Sequence, residues 1–257
     1  QWKQVGSELE AIRKQFGKDT VTGKRRTAFA EAGEVEEVSF EAMIERAPIT
    51  VICSQMGWIR GLKGHVDLSV EQKFKDGDGP RFAFHAETTD KIVLIAANGR
   101  FFTLLGVNLP GGRGMGEPVR LMVDLPNDTE IVDLVIHKPG EKWLIASSAG
   151  DGFILPSDEV VAQTKAGKQV QTLGAGVKTV LCRRVSGDAV AVVGDNRKML
   201  VFPLADLPEM AKGKGVRLQK YKDGGLSDAT TFTLVAGLSW KDPAGRTRTE
   251  TDLGEWQ

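Results

Sequence analysis

The sequence contains few residues of the kinds that most often bind metals. Among its 257 residues are two cysteines and three histidines. Cys53 and Cys182 lie far apart and neither belongs to a CxxC pair, so we expect buried, reduced thiols rather than zinc ligands. His65, His85 and His137 are not spaced as a metal-binding pair, and His65 lies in a basic turn where we expect it to be exposed. The composition therefore favours neither a metal site nor metal-dependent chemistry.

Long apolar runs and a net charge are missing too. No run approaches the roughly 18 residues of a membrane helix. The chain begins with Gln1 and shows no signal peptide, so we expect a fragment of a longer cytoplasmic protein. Lys plus Arg and Asp plus Glu both number 34, and this balance by itself speaks against a nucleic-acid partner. Hydrophobic residues make up 41% of the chain, which allows one large all-β domain or two small domains.

The neutral total conceals a segregation of charge along the chain. Residues 31–45 contain six glutamates and no Lys or Arg, whereas residues 197–222 contain seven basic residues and two acidic ones. Residues 165–184 contain five basic residues and no acidic one. Since charge is screened over about 8 Å, a folded chain of this kind can present a basic face. We interpret the acidic stretch as a solvated connector, with an internal mimic of DNA as the alternative hypothesis.

The most conspicuous glycine cluster is GGRGMGEPV, residues 111–119. A phosphate-binding loop of the GxxxxGK[ST] type requires a Lys and a hydroxyl residue after the last glycine, and neither follows here. A dinucleotide fingerprint requires GxGxxG before a long helix, but the spacing here is GxGxG and Pro118 interrupts any helix. The cluster is therefore predicted to be a turn rather than a nucleotide pocket.

The first 17 residues predict an amphipathic helix. Val5, Leu9, Ile12 and Phe16 recur at steps of four, three and four, and Gly17 is a natural stop. We assign residues 1–30 to this helix and a basic linker, 31–48 to the acidic connector, and 49–257 to a β domain.

The sequence of the β domain is repetitive. Stretches 49–65, 92–119, 143–170 and 189–218 each combine an apolar strand, a tight turn, a second strand and a basic glycine turn, and 232–249 resembles a weaker fifth copy. The hairpin turns recur at intervals of 42 to 51 residues, at Gly57, Gly99, Gly150, Arg197 and Gly245. A second turn is assigned to Gly64, Gly116, Gly167 and Gly215. A period near 50 is typical of propeller blades. We predict an all-β, propeller-like fold of about five blades of four-stranded sheets, and leave open whether the ring closes.

Basic residues recur beside these turns. On a disc of blades, equivalent turns share one rim, and their charges would form a curved stripe complementary to bent duplex DNA. No recognition helix is predicted, so we expect phosphate contacts and DNA deformation rather than base reading. The candidate DNA-binding residues are Arg60, Lys63, Arg100, Arg113, Arg120, Lys165, Lys168, Arg197, Lys198, Lys212, Lys214 and Arg217. The alternatives are a protein-interaction propeller, which leaves the basic rim unexplained, and a propeller enzyme, for which no recurring carboxylates or histidines stand out.

Four stretches resemble one known family, the C-terminal domains of topoisomerase IV A subunits (ParC), which are related to those of gyrase A. The segment ELEAIRKQFGKDTVTGKRRT resembles the exit from the family's catalytic core, and PITVICSQMGWIRGLKGH resembles the first blade. LPGGRGMGEPV resembles the second blade and MLVFPLADLPEMAKGKG the fourth.

The resemblance implies a β-pinwheel, a disc whose blades exchange strands, within a type IIA topoisomerase that relaxes and decatenates DNA. The implied partners are double-stranded DNA, two B subunits (ParE) and another copy of the A subunit, in a cytoplasmic, nucleoid-associated enzyme. The resemblance also leaves room for peripheral association with the inner membrane. ATP and Mg²⁺ would be used by other domains, and we expect no cofactor and a monomeric state for this fragment.

The catalytic tyrosine of the family lies N-terminal to such a fragment, so no catalytic site is expected here, and Tyr221 is interpreted as structural or as a DNA contact. Gyrase carries a basic box of the QRRGGKG type in its first blade. Here the corresponding interval is the short WIRGLKGH, so the resemblance implies bending of DNA without gyrase-like wrapping.

Overall fold

The computed structural model describes residues 1–24, 44–111 and 114–256. The chain divides into two compact units, Gln1–Met43 and Ile44–Gln257. In the first unit, helix α1 (Trp2–Phe16) ends at Gly17, as the apolar spacing predicts. No residue of α1 is buried, so its apolar stripe is exposed within this unit. None of the helices in the described ranges is both long and apolar enough to span a bilayer.

The second unit consists of short strands joined by turns and 3₁₀ helices. The strands are β1 (Pro48–Ser54), β2 (Trp58–Lys63), β3 (Pro80–Glu87), β4 (Lys91–Ala96), β5 (Arg100–Leu105), β6 (Glu117–Pro118), β7 (Ile131–Ile136), β8 (Lys142–Ser147), β9 (Asp151–Pro156), β10 (Lys168–Gln169), β11 (Thr179–Arg184), β12 (Ala189–Gly194), β13 (Met199–Pro203), β14 (Val216–Arg217), β15 (Leu226–Phe232), β16 (Leu238–Lys241) and β17 (Thr247–Glu250). The 3₁₀ helices are Gly106–Asn108, Val119–Leu121, Ser157–Glu159, Leu204–Asp206, Leu234–Ala236 and Gly254–Trp256.

These strands form five sheets, each built on one antiparallel hairpin. The orders are β3-β1-β2-β6, β10-β5-β4-β7, β11-β8-β9-β14, β13-β12-β15 and β16-β17. We call them the first to fifth sheets. The predicted all-β pinwheel of about five blades is confirmed, although three sheets have four strands, the fourth has three and the fifth has two.

One of the two edge strands in each of the first three sheets comes from the next repeat along the chain. After the hairpins of the second, third and fourth sheets the chain returns to the preceding sheet, so β6, β10 and β14 pair with β2, β5 and β9. We call β6, β10 and β14 the donated strands. This exchange links the first four sheets in series through main-chain hydrogen bonds as well as through side-chain packing.

Alternation of side chains along each central hairpin generates the packing between sheets, because successive residues of a strand point to opposite faces. In the second sheet, one face packs in a cluster with the first sheet and the other face in a cluster with the third. The residues are Ile92, Leu94 and Phe102 on one face, and Val93, Ile95 and Phe101 on the other; all six are fully buried. The second sheet is therefore a core layer that is buried on both faces.

The outward face of the first sheet is different. Arg60 lies three residues after turn Gly57, the place that Phe102 and Phe153 occupy relative to Gly99 and Gly150. The loop between β2 and β3, residues 64–79, accepts hydrogen bonds from the Arg60 side chain. Four apolar clusters join the five sheets in series, and none among the described residues joins the fifth sheet back to the first. The outward face of the first sheet is therefore polar and covered by a loop. Apolar packing among the described residues does not close the five sheets into a ring.

Candidate nucleic-acid interface

Glycines set the position of the donated strands. Gly116, Gly167 and Gly215 directly precede β6, β10 and β14 and have φ of 87°, 67° and 84°. A Cβ at these three positions would lie 2.3, 2.6 and 2.3 Å from a carbonyl oxygen of the preceding sheet. Only glycine combines this backbone with so close an approach.

Gly64 does not belong to this set, which corrects the repeat assigned from the sequence. Its φ is also positive, at 79°, but a Cβ there would meet nothing within 4 Å. It opens the loop that covers the first sheet, and no donated strand follows it. In the described chain no sheet precedes the first one, so the first repeat has no neighbour to which it could donate a strand.

The basic turns of successive repeats are joined through the main chain. The Gly213 amide donates to the Val170 carbonyl over 3.0 Å, and the Thr172 amide donates to the Gly213 carbonyl over 2.8 Å. Lys212 and Lys214 flank this glycine. The segment that carries them therefore lies against the segment that follows β10, and the two basic turns share one continuous surface.

At each of the first three sheets the donated strand pairs with the hairpin beside its turn, and we call this place the outer corner. In the second sheet Lys168 faces Phe101 and Gln169 faces Arg100. The Arg100 guanidinium donates to the Ala166 carbonyl and the Lys168 ammonium to the Glu159 carbonyl. Both cations are half-buried and hold the basic turn in place, so each carries a structural contact as well as its charge.

In the third sheet the outer corner contains a carboxylate. Asp151 follows turn Gly150, and its side chain is 6% exposed. It lies 3.3 Å from Lys214 Nζ and 3.7 Å from Arg217 Nε, whose side chains are 62% and 56% exposed. One buried carboxylate thus pairs with two exposed cations, and the corner keeps a net positive charge.

The remaining predicted residues are exposed and unpaired, lie outside the described residues, or bind main-chain carbonyls. Arg197 and Lys198 lie in the β12–β13 turn, where Arg197 takes a positive φ of 62°. Exposed side chains that pair with no other described residue belong to Lys63, Lys165, Arg197, Lys198 and Lys212. Arg113 lies outside the described residues, as do the Arg25, Arg26 and Thr27 motif and residues 31–43 of the acidic stretch.

The sequence predicts that Arg60 and Arg120 lie free on the rim. In the structure both side chains instead donate hydrogen bonds to main-chain carbonyls. Arg60 is 7% exposed and donates to the Gly114 carbonyl over 2.6 Å and to Gln72 Oε1 and the Lys73 carbonyl over 3.2 Å each. Arg120 donates to three carbonyls between Pro126 and Thr129. Both guanidinium groups satisfy main-chain acceptors, which a sequence pattern of turns cannot reveal.

The structure adds one cation that the sequence pattern does not indicate. Lys75 Nζ lies 3.3 Å from the centre of the Trp58 ring, and Trp58 faces Pro118 at the outer corner of the first sheet. This cation–π contact places a positive charge at a corner whose donated strand carries Glu117. The spacing between Trp58 and Lys75 is loop-dependent, so nothing in the sequence marked the pair.

Four of the five basic residues in the stretch 165–184 divide between two places in the fold, and the fifth, Lys178, lies in the loop before β11 and pairs with Glu130 over 3.7 Å. Lys165 and Lys168 belong to the donated segment, whereas Arg183 and Arg184 lie on β11. On β11, Arg183 pairs with Asp228 over 3.0 Å and Arg184 with Glu141 over 3.1 Å. The charge on that strand is therefore balanced locally.

Other reactive residues have structural surroundings. The Tyr221 ring lies against Gly150 and Gly194, where an added Cβ would come within 2.5 Å of it. Burial raises the pKa of Tyr221, with the Asp195 charge adding to the effect. Burial raises the pKa of the Cys53 thiol to about 12, and Cys182 is also buried as a free thiol. Within the described ranges, no three His, Cys, Asp or Glu side chains are grouped as metal ligands.

Comparison with known proteins matches most of the chain. A family described as "DNA gyrase C-terminal domain, beta-propeller" matches residues 141–186 and 188–226. The A subunit of DNA topoisomerase 4 from Caulobacter vibrioides is 46% identical over 265 residues, which cover 100% of this chain and 35% of that protein. The corresponding protein from Rickettsia bellii is 44% identical over 98% of this chain and 34% of its own length. This chain thus spans about a third of the length of these relatives. The structure of the E. coli ParC C-terminal domain superposes with a TM-score of 0.72 at 27% identity, covering 81% of this chain and 89% of that one.

Proposed function

Since this chain belongs to the family of topoisomerase IV A subunits, as a C-terminal domain of the gyrase A type, we propose that it binds and bends duplex DNA through the basic outer corners of its second and third sheets and the basic β12–β13 turn of its fourth sheet. The DNA would be the segment that the whole enzyme transports through a break in another duplex. The domain itself would contribute capture and curvature and no bond cleavage.

One observation carries this proposal: exposed cations of consecutive repeats lie on segments that hydrogen-bond to one another. Gly213, between Lys212 and Lys214, pairs with the residues just after β10. An array of cations held at fixed spacing neutralises successive phosphates and releases their counterions. Flexible, isolated lysines would gain less, because each would lose side-chain entropy on binding.

Recognition would not depend on base sequence. The α-helix of the described chain, α1, lies in the other unit, and the candidate surface consists of turns, dipeptide strands and exposed long side chains. Such a surface contacts phosphates rather than base edges. Bending a site by 40–90° costs on the order of 1–6 kcal/mol, which the phosphate contacts would offset.

We propose bending without complete wrapping, because the cations are unevenly distributed. At the outer corner of the first sheet, Arg60 is buried and Glu117 is exposed. Apart from Lys63 and Lys75, which belong to the first sheet, the free and corner-bound cations lie on the second, third and fourth sheets. An arc of three sheets supports a bend, whereas wrapping requires contacts around most of the disc.

For the whole protein, we propose the role implied by its relatives. A dimer of A subunits with two B subunits (ParE) would decatenate and relax DNA in the cytoplasm, associated with the nucleoid. ATP, Mg²⁺ and the catalytic tyrosine would belong to parts of the enzyme other than this chain.

The test is binding to duplex DNA of arbitrary sequence across a salt series, with Lys212, Lys214 and Arg217 changed together to Ala. Log affinity should fall linearly with log salt, and the triple variant should flatten the slope by up to about 2.7, the value for three phosphate contacts at about 0.9 each. A charge-matched control changes three exposed residues of α1, Lys3, Arg13 and Lys14, and should leave the slope unchanged.

The outcomes separate the two function classes. Equal slopes for both triple variants would place DNA elsewhere on the chain. No binding at low salt would reject the DNA role and favour a protein-interaction scaffold. If binding is found, end-to-end energy transfer on a labelled duplex measures the bend, and an unchanged transfer efficiency would contradict bending.

A further inference from the structure

Gln171 is a fully buried polar residue in the segment that follows β10. Its Oε1 accepts a hydrogen bond from the Thr179 hydroxyl over 2.6 Å, and its Nε2 donates to the Asp151 carbonyl over 3.4 Å. Thr179 begins β11 and Asp151 begins β9, so both partners belong to the third sheet. The main-chain amide of Gln171 donates to the Gly99 carbonyl, in the hairpin turn of the second sheet, over 3.1 Å. Gln171 therefore connects the second sheet to the third.

The main chain at Gln171 also holds the basic turn of the fourth repeat. Gln171 forms a parallel bridge with Gly213, through hydrogen bonds of the two residues that flank Gln171. Lys212 and Lys214 flank Gly213, and Lys168 lies three residues before Gln171. The short stretch around Gln171 thus places the cations of the second and third outer corners relative to one another.

The same place in the preceding repeat carries a similar link. Arg120 and Gln171 each lie four residues after the glycine that precedes a donated strand. The Arg120 guanidinium donates to three carbonyls within residues 126–129, just before β7 of the second sheet. Gln171 likewise bonds to Thr179, at the start of β11 of the third sheet. In both repeats, a side chain links the donated segment back to the sheet of its own repeat.

We propose that Gln171 is a positioning residue that fixes the spacing of the second and third outer corners and so sets the angle of the DNA bend, without contacting DNA. This inference rests on the DNA-bending function proposed above. Because Gln171 is fully buried, it neutralises no phosphate. A duplex held at two corners takes the curvature that their positions impose, so a change of spacing alters the bend and leaves the number of neutralised phosphates the same.

The test removes the hydrogen bond at its other end, where the change is small. Thr179→Val keeps the size of the side chain and removes the hydroxyl that donates to Gln171, whereas Thr179→Ser retains a hydroxyl. End-to-end energy transfer on a labelled duplex should fall for Thr179→Val, because loosened corners let the duplex relax towards its straighter shape. Thr179→Ser should match the parent. The DNA salt slope should be equal in all three proteins, and a flatter slope for Thr179→Val would overturn the proposal, since it would mean lost phosphate contacts.

Thr50→Val is the matched control. Thr50 is also fully buried. Its hydroxyl donates to the Gly64 carbonyl over 2.8 Å and accepts from the Val66 amide over 2.9 Å, so it acts within the first sheet and its loop. Thr50→Val should lower the Tm and leave the energy transfer unchanged. A fall as large as that of Thr179→Val would overturn the proposal, because the transfer would then report stability and not the position of the corners.

Amide hydrogen exchange of the free chain tests the positioning without DNA. The Gly213 and Thr172 amides should exchange about two- to tenfold faster in Thr179→Val and in Gln171→Leu, the factor expected for the loss of one net hydrogen bond. In Thr50→Val they should exchange as in the parent. If the parent bends DNA, either unchanged exchange or unchanged transfer in both variants would overturn this inference and leave the proposed function intact. A parent that binds DNA without bending it would contradict the proposed function, and this inference with it.

Discussion

Arg60 gives the sharpest separation between a DNA contact and a structural contact. Its sequence context, between a turn and a glycine, resembles that of a rim cation, but the structure buries it at 7% exposure. We predict that Arg60→Met destabilises the β unit and leaves the DNA salt slope unchanged. Methionine retains the apolar stem and removes the guanidinium group.

The magnitude follows from the contacts. The guanidinium donates to two carbonyls and one side-chain amide oxygen, at 2.6, 3.2 and 3.2 Å. A buried acceptor left without its donor costs about 1–3 kcal/mol, and surface carbonyls of a loop recover part of that from water, so we expect about 2–4 kcal/mol in total. For a unit of this size, that corresponds to a Tm lower by roughly 4–16 °C.

The assay pairs thermal unfolding with the DNA salt series. Amide hydrogen exchange should also become faster in residues 64–79, the loop to which Arg60 donates hydrogen bonds. Lys63→Met, at the exposed end of the same strand, is the control: it should retain the Tm and, if Lys63 binds a phosphate, flatten the slope by about 0.9. An Arg60→Met variant with the parent Tm and a flatter slope would refute this reasoning.

Three further predictions address the corner charge, the turns and the thiols. Asp151→Asn should tighten DNA binding about fivefold at low salt, because removing one charge near the phosphates is worth about 1 kcal/mol at an intermediate dielectric; equal or weaker binding would mean that Asp151 chiefly orders its cations. Gly215→Ala should cost more than about 3 kcal/mol in urea unfolding, since its Cβ would meet a carbonyl at 2.3 Å, whereas Gly64→Ala should cost about 1 kcal/mol for its positive φ alone. The pKa of the Cys53 thiol is about 12 in the folded chain and about 8.5 in the unfolded chain. The free energy of unfolding should therefore fall as pH rises above about 9. Unfolding measured at several pH values should show a smaller fall in the free energy of unfolding for Cys53→Ala than for the parent. An equal fall in the two proteins would contradict the raised pKa of Cys53.

Much of the fold could be predicted from the sequence because it repeats. The turn glycines and alternating apolar residues define the hairpins, and the register after each turn is constant. Strand exchange, in contrast, was available only from the resemblance. A two-residue donated strand such as Lys168–Gln169 has too little periodicity to indicate which sheet it joins.

The candidate site was less predictable, because a sequence shows charge but not its partners. Arg60 and Lys63 have similar local sequences, yet one is buried beneath a loop and the other is exposed. Gly64 looks like a second turn of the repeat, but its surroundings are open. The contact between Lys75 and Trp58 depends on the path of a loop, which no local pattern encodes.

The neutral composition of the chain is compatible with a DNA surface because of where its anions lie. On strand β11, Arg183 and Arg184 pair with carboxylates one to one. At the third outer corner, one buried Asp151 faces two exposed cations, and several cations on the neighbouring turns pair with no described residue. A phosphate approaching this side within a Debye length meets a net positive charge, although the whole chain carries none. Attraction of this kind should weaken steeply with salt, so a salt-insensitive affinity would contradict a surface built from these corners.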